Sequence, residues 1–404
     1  MKALARGAAL TLGTLLPALA TAQEMPVVQN KREWKVGARA EAYYDNNISR
    51  SSSALTAQRN LSKDDYVLLP AVTVALVQPF GRQSVFLNGD VGYAFHRYND
   101  ELDRRRAKVS GGVGGVLGPC RPVLFGSYQA AQSDLASLDV GTTKNLQQVV
   151  ATGVGAQCAR SSGPGASFMV QRSDVKNSAR TVKESDTTTE LANVQLLYTR
   201  PSLGTFSAGF AYSSTEFPNR IIPTRPVGDG FFTQSYFVGY SRKFGQRLTV
   251  TGQGGLTHFK REFSPPGVDQ SFNSKTYSAD VTYGLGERIE FEVRGSRNIT
   301  PSQQVGKTFD KATKADAIVR YQAGDRLGFE AGYSWQKINS NADTASALLV
   351  VTNAETGAIY GNVSFSPNDR VSVALNIRYE DRNANLPQFT YTATRIGVSA
   401  QTSF

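Results

Sequence analysis

The sequence predicts an all-β fold, a single transmembrane antiparallel β-barrel of about 18 strands, with a range of about 16 to 20. Apolar and polar residues alternate over runs of about ten residues, which is the period of a strand with one apolar face. Short turns rich in Gly and Pro recur about every 41 residues, the length of one long hairpin and one loop. A propeller has a similar period, but its blades need four short strands where these repeats hold two long ones. A closed barrel therefore fits the pattern best.

The start of the chain is expected to lie outside the barrel. Basic residues precede an apolar run over residues 8–20, and a small residue, Ala22, follows it. This is the pattern of a secretory signal, and the run is shorter than the roughly 18 apolar residues of a membrane-spanning helix. We expect a signal peptide over residues 1–22, a short periplasmic segment over 23–32 and a single barrel over 33–404. Both termini of the barrel are expected in the periplasm.

The composition of the chain is basic. The 44 Lys and Arg residues outnumber the 33 Asp and Glu residues, which gives a net charge of +11. Removal of a signal that holds two basic residues leaves 42 − 33 = +9. A basic exported protein can meet anionic headgroups, an acidic polymer or nucleic acid, but the sequence contains no nucleic-acid motif. The mean hydropathy of −0.30 suits a membrane barrel, since its lipid face takes only every second residue.

Parity along the strands predicts which residues face lipid and which face the lumen. In the first strand, alternate residues from Trp34 to Tyr44 form the apolar set, and the run from Leu327 to Trp335 repeats the pattern. The charged residues predicted to face the lumen are Lys35, Arg39, Glu41, Asp90, Lys108, Asp280, Glu290, Glu292, Arg294, Asp316, Arg320, Glu330, Arg378, Glu380 and Arg395. Both signs are present, so parity does not predict a basic pore with strong anion selectivity.

Basic residues mark nearly every short turn. They would form a positive ring on the periplasmic rim, made of Arg82, Arg121, Arg160, Arg200, Lys243, Arg247, Arg288, Arg326 and Arg370. Attraction to anionic phospholipid headgroups explains such a ring. Docking of an anionic polymer or of a periplasmic partner is the alternative.

The longer connections are expected to face the outside of the cell, because they are polar with scattered Pro and Gly. They include residues 45–63, 216–230 and 338–357. The apolar run from Ala347 to Val351 is either an in-folded constriction segment or a strand extension above the membrane.

The two cysteines of the chain are Cys120 and Cys158. The first lies at the predicted start of one strand and the second at the predicted end of the next. An antiparallel pair brings these two ends together at the rim of short turns. Because an exported chain meets an oxidising compartment, we expect a disulfide rather than two free thiols. With two His residues and no clustered ligand spacing, neither a metal nor a cofactor is expected.

No catalytic constellation stands out in the sequence. His96 and His258 are not part of a nucleophile motif. Glu290 and Glu292 share one strand face, but Arg294 is their next neighbour on that face, which favours a balanced charge network over acid–base chemistry. We therefore expect no enzyme activity.

The last strand carries Tyr391, Ile396, Val398 and the terminal Phe404. This ending resembles the C-terminal assembly signal of bacterial outer-membrane β-barrels, whose terminal Phe is read by the barrel-insertion machinery. The resemblance implies insertion into the bacterial outer membrane by that machinery. An ordinary edge strand of a soluble domain is the alternative.

The first three strands carry a second resemblance. The first ends in Tyr43-Tyr44-Asp45-Asn46-Asn47-Ile48, the second opens with Asp64-Asp65-Tyr66, and the third contains Asn88-Gly89-Asp90-Val91-Gly92-Tyr93. This order is similar to that of the outer-membrane β-barrel porins found with bacterial exopolysaccharide-secretion systems. The resemblance implies that a polysaccharide passes through the outer membrane after delivery by a periplasmic polysaccharide-export protein.

Our leading hypothesis is accordingly a monomeric outer-membrane barrel that conducts an exopolysaccharide. The alternatives are a general diffusion porin for small solutes and a non-conducting structural or adhesive barrel. A long inward-folding loop would favour the porin.

Overall fold

A computed structural model describes residues 31–133, 135, 144–222, 225–262, 271–302, 307–342 and 350–404. Within these residues, the strands form one 18-stranded antiparallel sheet in which each strand pairs with its neighbours along the chain. The first strand also pairs with the last, so the sheet closes into a barrel. The predicted fold and strand number are confirmed.

The strands are β1 (Glu33–Asp45), β2 (Asp65–Phe80), β3 (Gln83–His96), β4 (Arg104–Gly115), β5 (Cys120–Gln132), β6 (Leu146–Cys158), β7 (Gly163–Asn177), β8 (Thr187–Arg200), β9 (Gly204–Ile222), β10 (Arg225–Phe244), β11 (Leu248–Arg261), β12 (Ser271–Leu285), β13 (Ile289–Pro301), β14 (Lys307–Ala323), β15 (Leu327–Ala342), β16 (Asn353–Asn368), β17 (Val371–Ala384) and β18 (Tyr391–Ser403). One short helix, α1 (Ser53–Gln58), and 3₁₀ turns over Asp100–Leu102, Arg180–Ser185 and Pro387–Phe389 lie in the connections. No helix in the described ranges is long and apolar enough to cross a membrane.

Alternation along each strand separates an apolar outer face from a polar inner face. Phe329 lies opposite Val363 in the β15–β16 pair, whereas the adjacent Glu330 lies opposite Asn362. Directly opposed residues share one face of a sheet, so the parity of one strand carries over to the next. The exposed large apolar side chains follow the outer parity around the whole barrel. Because the sheet is closed, it has no unpaired edge strand, which is the condition for spanning a bilayer with strands.

The two ends of the barrel differ. Short turns such as those at Gly245 and Gly286 occupy one end, here called the turn end, and their φ values of 60° and 69° lie in the left-handed region that Gly adopts without strain. Both termini of the barrel lie at this end, where the N–H of Phe404 donates to the carbonyl of Val36 at 2.8 Å. The opposite end, here called the loop end, carries the longer connections.

The predicted disulfide is confirmed. Cys120 and Cys158 lie directly opposite each other in the β5–β6 pair. They are bonded, with their Cα atoms 3.9 Å apart. The bond joins the start of β5 to the end of β6 at the turn end.

The strands at the loop end are longer than the sequence predicts. Residues 216–230 were expected to form a loop, but β9 continues to Ile222 and β10 begins at Arg225. The interpretation of 338–357 as one loop was also wrong, because β15 ends at Ala342 and β16 begins at Asn353. On the β9–β10 extension, the buried side chains of Phe217 and Phe231 pack in one cluster and hold the paired strands together. The signal peptide and residues 343–349 lie outside the described residues.

Candidate functional site

The lumen wall is divided into uncharged and charged sectors. Between the two rims, the described inner face of β5–β11 carries no charged side chain. Its inner residues include Ser127, Gln129, Gln171, Asn193, Gln195, Ser213, Ser235 and Gln253, together with Phe125, Met169 and Phe237. The structure places every charged residue predicted to face the lumen on the inner face of the other strands. The mixed charges predicted from parity are therefore segregated around the barrel.

The acidic sector lies on β12–β15 and centres on Arg320. This side chain on β14 stands between β13 and β15, with Glu290 opposite it on one side and Glu330 on the other. Its Nη1 atom lies 2.8 Å from Glu290 and 2.7 Å from Glu292, and its Nε lies 2.9 Å from Glu330. One guanidinium thus donates to three carboxylates, which is possible because it carries five N–H donors in one plane.

A second guanidinium extends this network toward the loop end. Arg294 lies 3.0 Å from Asp280, also pairs with Glu292, and faces Asp316 in the β13–β14 register. Between the turn end and the β13–β14 hairpin tip, the inner face of β12–β15 thereby carries five carboxylates against Arg294, Arg320 and Lys314. The formal balance is 3 − 5 = −2.

The opposite sector, on β1–β4, is basic. Arg39 is buried and lies 2.7 Å from Asp90, and the same carboxylate accepts from Arg106 at 3.2 Å. Between the two rims, Lys108 is a further inner base and Glu41 is the other acid, so the balance there is 3 − 2 = +1. Nearer the rims, Lys35 pairs with Glu33 at 2.7 Å, and Arg104 shares the loop end with Asp45 and Asp65. Sequence reasoning missed Arg104, Arg106 and Lys314, although their parity already marked them as inner residues.

The loop-end mouth is narrowed by the end of the β13–β14 hairpin. The hairpin tip, residues 299–302 and 307–310, is buried throughout. Arg220 on β9 donates from Nη2 to the carbonyl of Ser302 at 3.3 Å. Four strand spacings of about 4.8 Å separate β9 from β13, or roughly 19 Å of wall. Contact across this separation requires the β13–β14 tip and the extended end of β9 to lean toward each other over the mouth.

An aromatic cluster holds the tip in this position. The ring centroid of Phe309, on the tip, lies 3.9 Å from that of Phe272 on β12 and 5.8 Å from that of Phe259 on β11. Phe217 and Phe231 complete the buried group. The adjoining ion pair is also buried, with Arg261 Nε and Nη2 each 2.9 Å from an oxygen of Asp229.

The first loop, residues 46–64, covers another part of the mouth. The N–H of Ser52 donates to the carbonyl of Gln388 at 2.9 Å, between β17 and β18. Arg59 Nη2 donates to the carbonyl of Leu135 at 3.1 Å, between β5 and β6. The loop is therefore bonded to connections on both sides of its own hairpin. Leu55 of α1 packs with Val351, the described end of the apolar run considered above as a constriction.

An ion pair fixes the base of the first loop. The Asp45 carboxylate receives Arg50 at 2.9 and 2.7 Å and Arg395 at 3.0 Å. Burial lowers the pKa of the Arg50 guanidinium, but the hydrogen bonds and charge of Asp45 outweigh burial and raise this pKa above its ordinary value. Arg50 therefore stays a cation in this fold.

The remaining predicted residues lie at the surface or on the last strand. The basic residues of the short turns are all exposed at the turn end. On β18, Ile396 and Val398 are exposed on the outer face, and Phe404 follows at the end of the chain. Tyr391 instead lies buried on the inner face, where its hydroxyl bonds to Glu380 Oε1 at 2.6 Å. The predicted assembly-signal residues are thus split between the two faces.

No protein-family model matches the sequence, and no curated protein matches it. Solved structures do match. The FrpB iron transporter from Neisseria meningitidis, in its apoprotein form, is 11% identical with a TM-score of 0.52, over 88% of this chain and 62% of that chain. The ferric citrate transporter FecA in its unliganded form is 12% identical with a TM-score of 0.51, over 92% and 64%. A BenF-like porin from Pseudomonas fluorescens Pf-5 is 11% identical with a TM-score of 0.49, over 92% and 98%.

The chain spans less than two thirds of the length of the FrpB and FecA structures. Their likeness shows the fold, which is that of an outer-membrane β-barrel. Together with the exposed apolar belt, this fold places the protein in the bacterial outer membrane, as the sequence predicted. The FrpB and FecA structures are those of transporters, and they give no support to an association with exopolysaccharide.

Proposed function

We propose that the protein is a monomeric outer-membrane channel for small polar solutes, with its turn end in the periplasm and no catalytic step. The observation that carries the proposal is the inward-leaning β13–β14 hairpin, whose tip is buried in the loop-end mouth. A segment folded into the mouth restricts passage by size, which suits diffusion of small solutes better than threading of a polymer. The transporters that share the fold, FrpB and FecA, support a transport function of this kind.

The lumen wall supports polar solutes as the substrate class. Amide and hydroxyl side chains on β5–β11 offer hydrogen bonds to uncharged molecules, while the acidic and basic sectors oppose each other across the barrel. Since the two sectors carry opposite signs, we expect only weak selectivity between small cations and anions.

Export of an exopolysaccharide is the second candidate, and it rests on the resemblance in the first three strands. The uncharged wall also favours it, because Phe125 and Phe237 alternate there with groups that bond to sugar hydroxyls. This candidate requires a periplasmic export partner and displacement of both the hairpin tip and the first loop. A non-conducting adhesive barrel would show neither transport activity.

Removal of the tip tests the size restriction. Ile299 and Lys311 face each other in the β13–β14 register, so residues 300–310 can be replaced by the two-residue turn Asn-Gly. We expect this variant, folded into vesicles, to admit larger oligosaccharides and to conduct about twofold more current in planar bilayers. Phe309→Leu, which keeps the tip apolar, is the control and should behave as the natural protein.

Unchanged conductance and size cut-off in the shortened variant would refute the proposed narrowing.

A comparison in cells separates the two candidate functions. Deletion of the gene should slow uptake of small solutes and leave polysaccharide secretion intact. The reverse result would favour the export candidate.

A further inference from the structure

The turn end presents a continuous ring of basic side chains, and we propose that it binds the anionic phospholipid headgroups of the surrounding leaflet. The ring consists of Arg82, Arg121, Arg160, Arg200, Lys243, Arg247, Arg288, Arg326 and Arg370. This inference concerns the barrel's outer rim and does not depend on what passes through the lumen.

The fold repeats one position of this ring from hairpin to hairpin. Five of its members lie immediately before the first residue of the next strand: Arg82, Arg247, Arg288, Arg326 and Arg370. In each case the backbone carbonyl accepts a hydrogen bond from an adjacent strand, at 2.8 to 2.9 Å. The backbone is thus fixed at equivalent places while the guanidinium remains exposed.

The ring lacks carboxylate partners. In the described part of the chain, every ion pair involves other residues. The acidic residues of the same turns are Glu287, Asp325 and Asp369, fewer than the bases. The ring therefore has a net positive charge that an anionic ligand from outside the protein can neutralise.

The position of the ring selects phospholipid as that ligand. The bases lie just beyond the exposed apolar belt, beside Phe80, Phe244 and Phe404, which are 60%, 40% and 78% exposed. Arg242 lies 4.5 Å from the centroid of the Phe244 ring, and Arg32 lies 5.3 Å from that of Trp34. Aromatic and basic side chains together mark the headgroup level of a bilayer. The ring also runs around the whole circumference, as a lipid annulus does, whereas a docked protein would contact one sector.

The test measures lipid selectivity directly. The natural protein is folded into vesicles of equimolar phosphatidylcholine and phosphatidylglycerol, extracted with its bound lipids and weighed by native mass spectrometry. A basic residue near an anionic headgroup favours it by about fivefold, and we expect phosphatidylglycerol to be retained in about that excess. The combined variant Arg82→Gln, Arg288→Gln, Arg326→Gln and Arg370→Gln keeps five of the nine bases and should retain about half as many phosphatidylglycerol molecules in excess.

A matched control removes the same charge from the loop end. Lys63, Arg97, Arg105 and Lys176 are exposed there and outside the ion pairs, and their replacement by Gln should leave the preference intact. Heat-modifiable migration on gels shows that each variant is folded. Equal retention of both lipids by the natural protein, or equal loss in the control, would overturn the proposal. Binding of dextran sulfate to the ring in detergent, together with no lipid preference, would also overturn the proposal, since that result indicates an anionic polymer as the ligand.

Discussion

Replacement of Arg320 by Gln tests whether the acidic sector sets the ion preference of the lumen. The substitution removes the cation that lies between Glu290, Glu292 and Glu330. The formal charge of the β12–β15 sector then changes from −2 to −3. An ion passing about 5 Å from the added negative charge gains or loses about 0.8 kcal/mol in water, and screening at 0.1 M salt reduces this to about 0.5 kcal/mol. Because a cation gains this energy and an anion loses it, we expect the ratio of cation to anion permeability to rise about fivefold.

The assay is the reversal potential of the channel in a planar bilayer under a KCl gradient. Arg320→Lys keeps the charge and should keep most of the original value. Arg172 provides the matched control, because it also lies between two carboxylates, Asp174 and Glu190, at 3.4 Å, but on the outer face of β7. Arg172→Gln should leave the reversal potential unchanged. An equal shift in both Gln variants, or no shift with Arg320→Gln, would show that the charged wall does not line the conduction path.

The remaining predictions concern the two faces of the barrel and its disulfide. Val194→Arg places a charge among lipid tails and should cost about 2–4 kcal/mol of folding free energy in bilayers. Gln195→Arg lies on the lumen face and should cost far less. If urea titrations give the larger cost for Gln195→Arg, the two faces are assigned the wrong way round. Gly332 faces Tyr360 across β15–β16, and a Cβ there would collide with the Tyr360 ring. Gly332→Val should thus push this ring into the lumen and lower the single-channel conductance, while Gly357→Val, which meets the Tyr333 hydroxyl at an ordinary 3.4 Å on the outer face, should not. The double variant Cys120→Ser, Cys158→Ser lacks the disulfide, which closes a loop of 38 residues. Its free energy of unfolding should be lower by up to about 4 kcal/mol. Equal urea midpoints for the double variant and the natural protein would contradict this.

Local periodicity accounts for what the sequence predicted well. Strand parity has a period of two, so a residue such as Glu330 is assigned to a face by its immediate neighbours alone. The disulfide followed from the same reasoning, since Cys120 and Cys158 each lie beside a recognisable turn. Residues Pro218 and Gly230 made the β9–β10 extension look like a loop, because Pro and Gly are the usual signals of a turn. The buried neighbours Phe217 and Phe231 override those signals through packing that only the folded chain contains.

The arrangement of the mouth was beyond prediction for a related reason. The hairpin tip is held by contacts such as that between Arg220 and Ser302, 82 residues apart in the chain. No local pattern encodes such a pairing. The segregation of charge is different, because parity and chain order together already place the predicted inner charges on β1, β3, β4, β12–β15, β17 and β18, and none on β5–β11.

The ladder of hydrogen bonds explains why the β13–β14 hairpin is free to lean across the mouth. Pairing between β11 and β12 extends to Lys260 and Ser271, but pairing between β12 and β13 ends at Tyr277 and Arg297. Above that point the β13–β14 hairpin has no ladder on its β12 side. Its tip can move away from β9 without breaking strand pairing to β12, but β14 stays paired with β15 as far as Lys307 and Ala342, so the end of β15 would move with it. The movement costs the aromatic cluster around Phe309 and the hydrogen bond from Arg220. The first loop has no such freedom, because Asp45 ties its base to both Arg50 and Arg395. Widening of the mouth should therefore begin at the hairpin tip, which is why its replacement by a two-residue turn is the decisive test of size restriction.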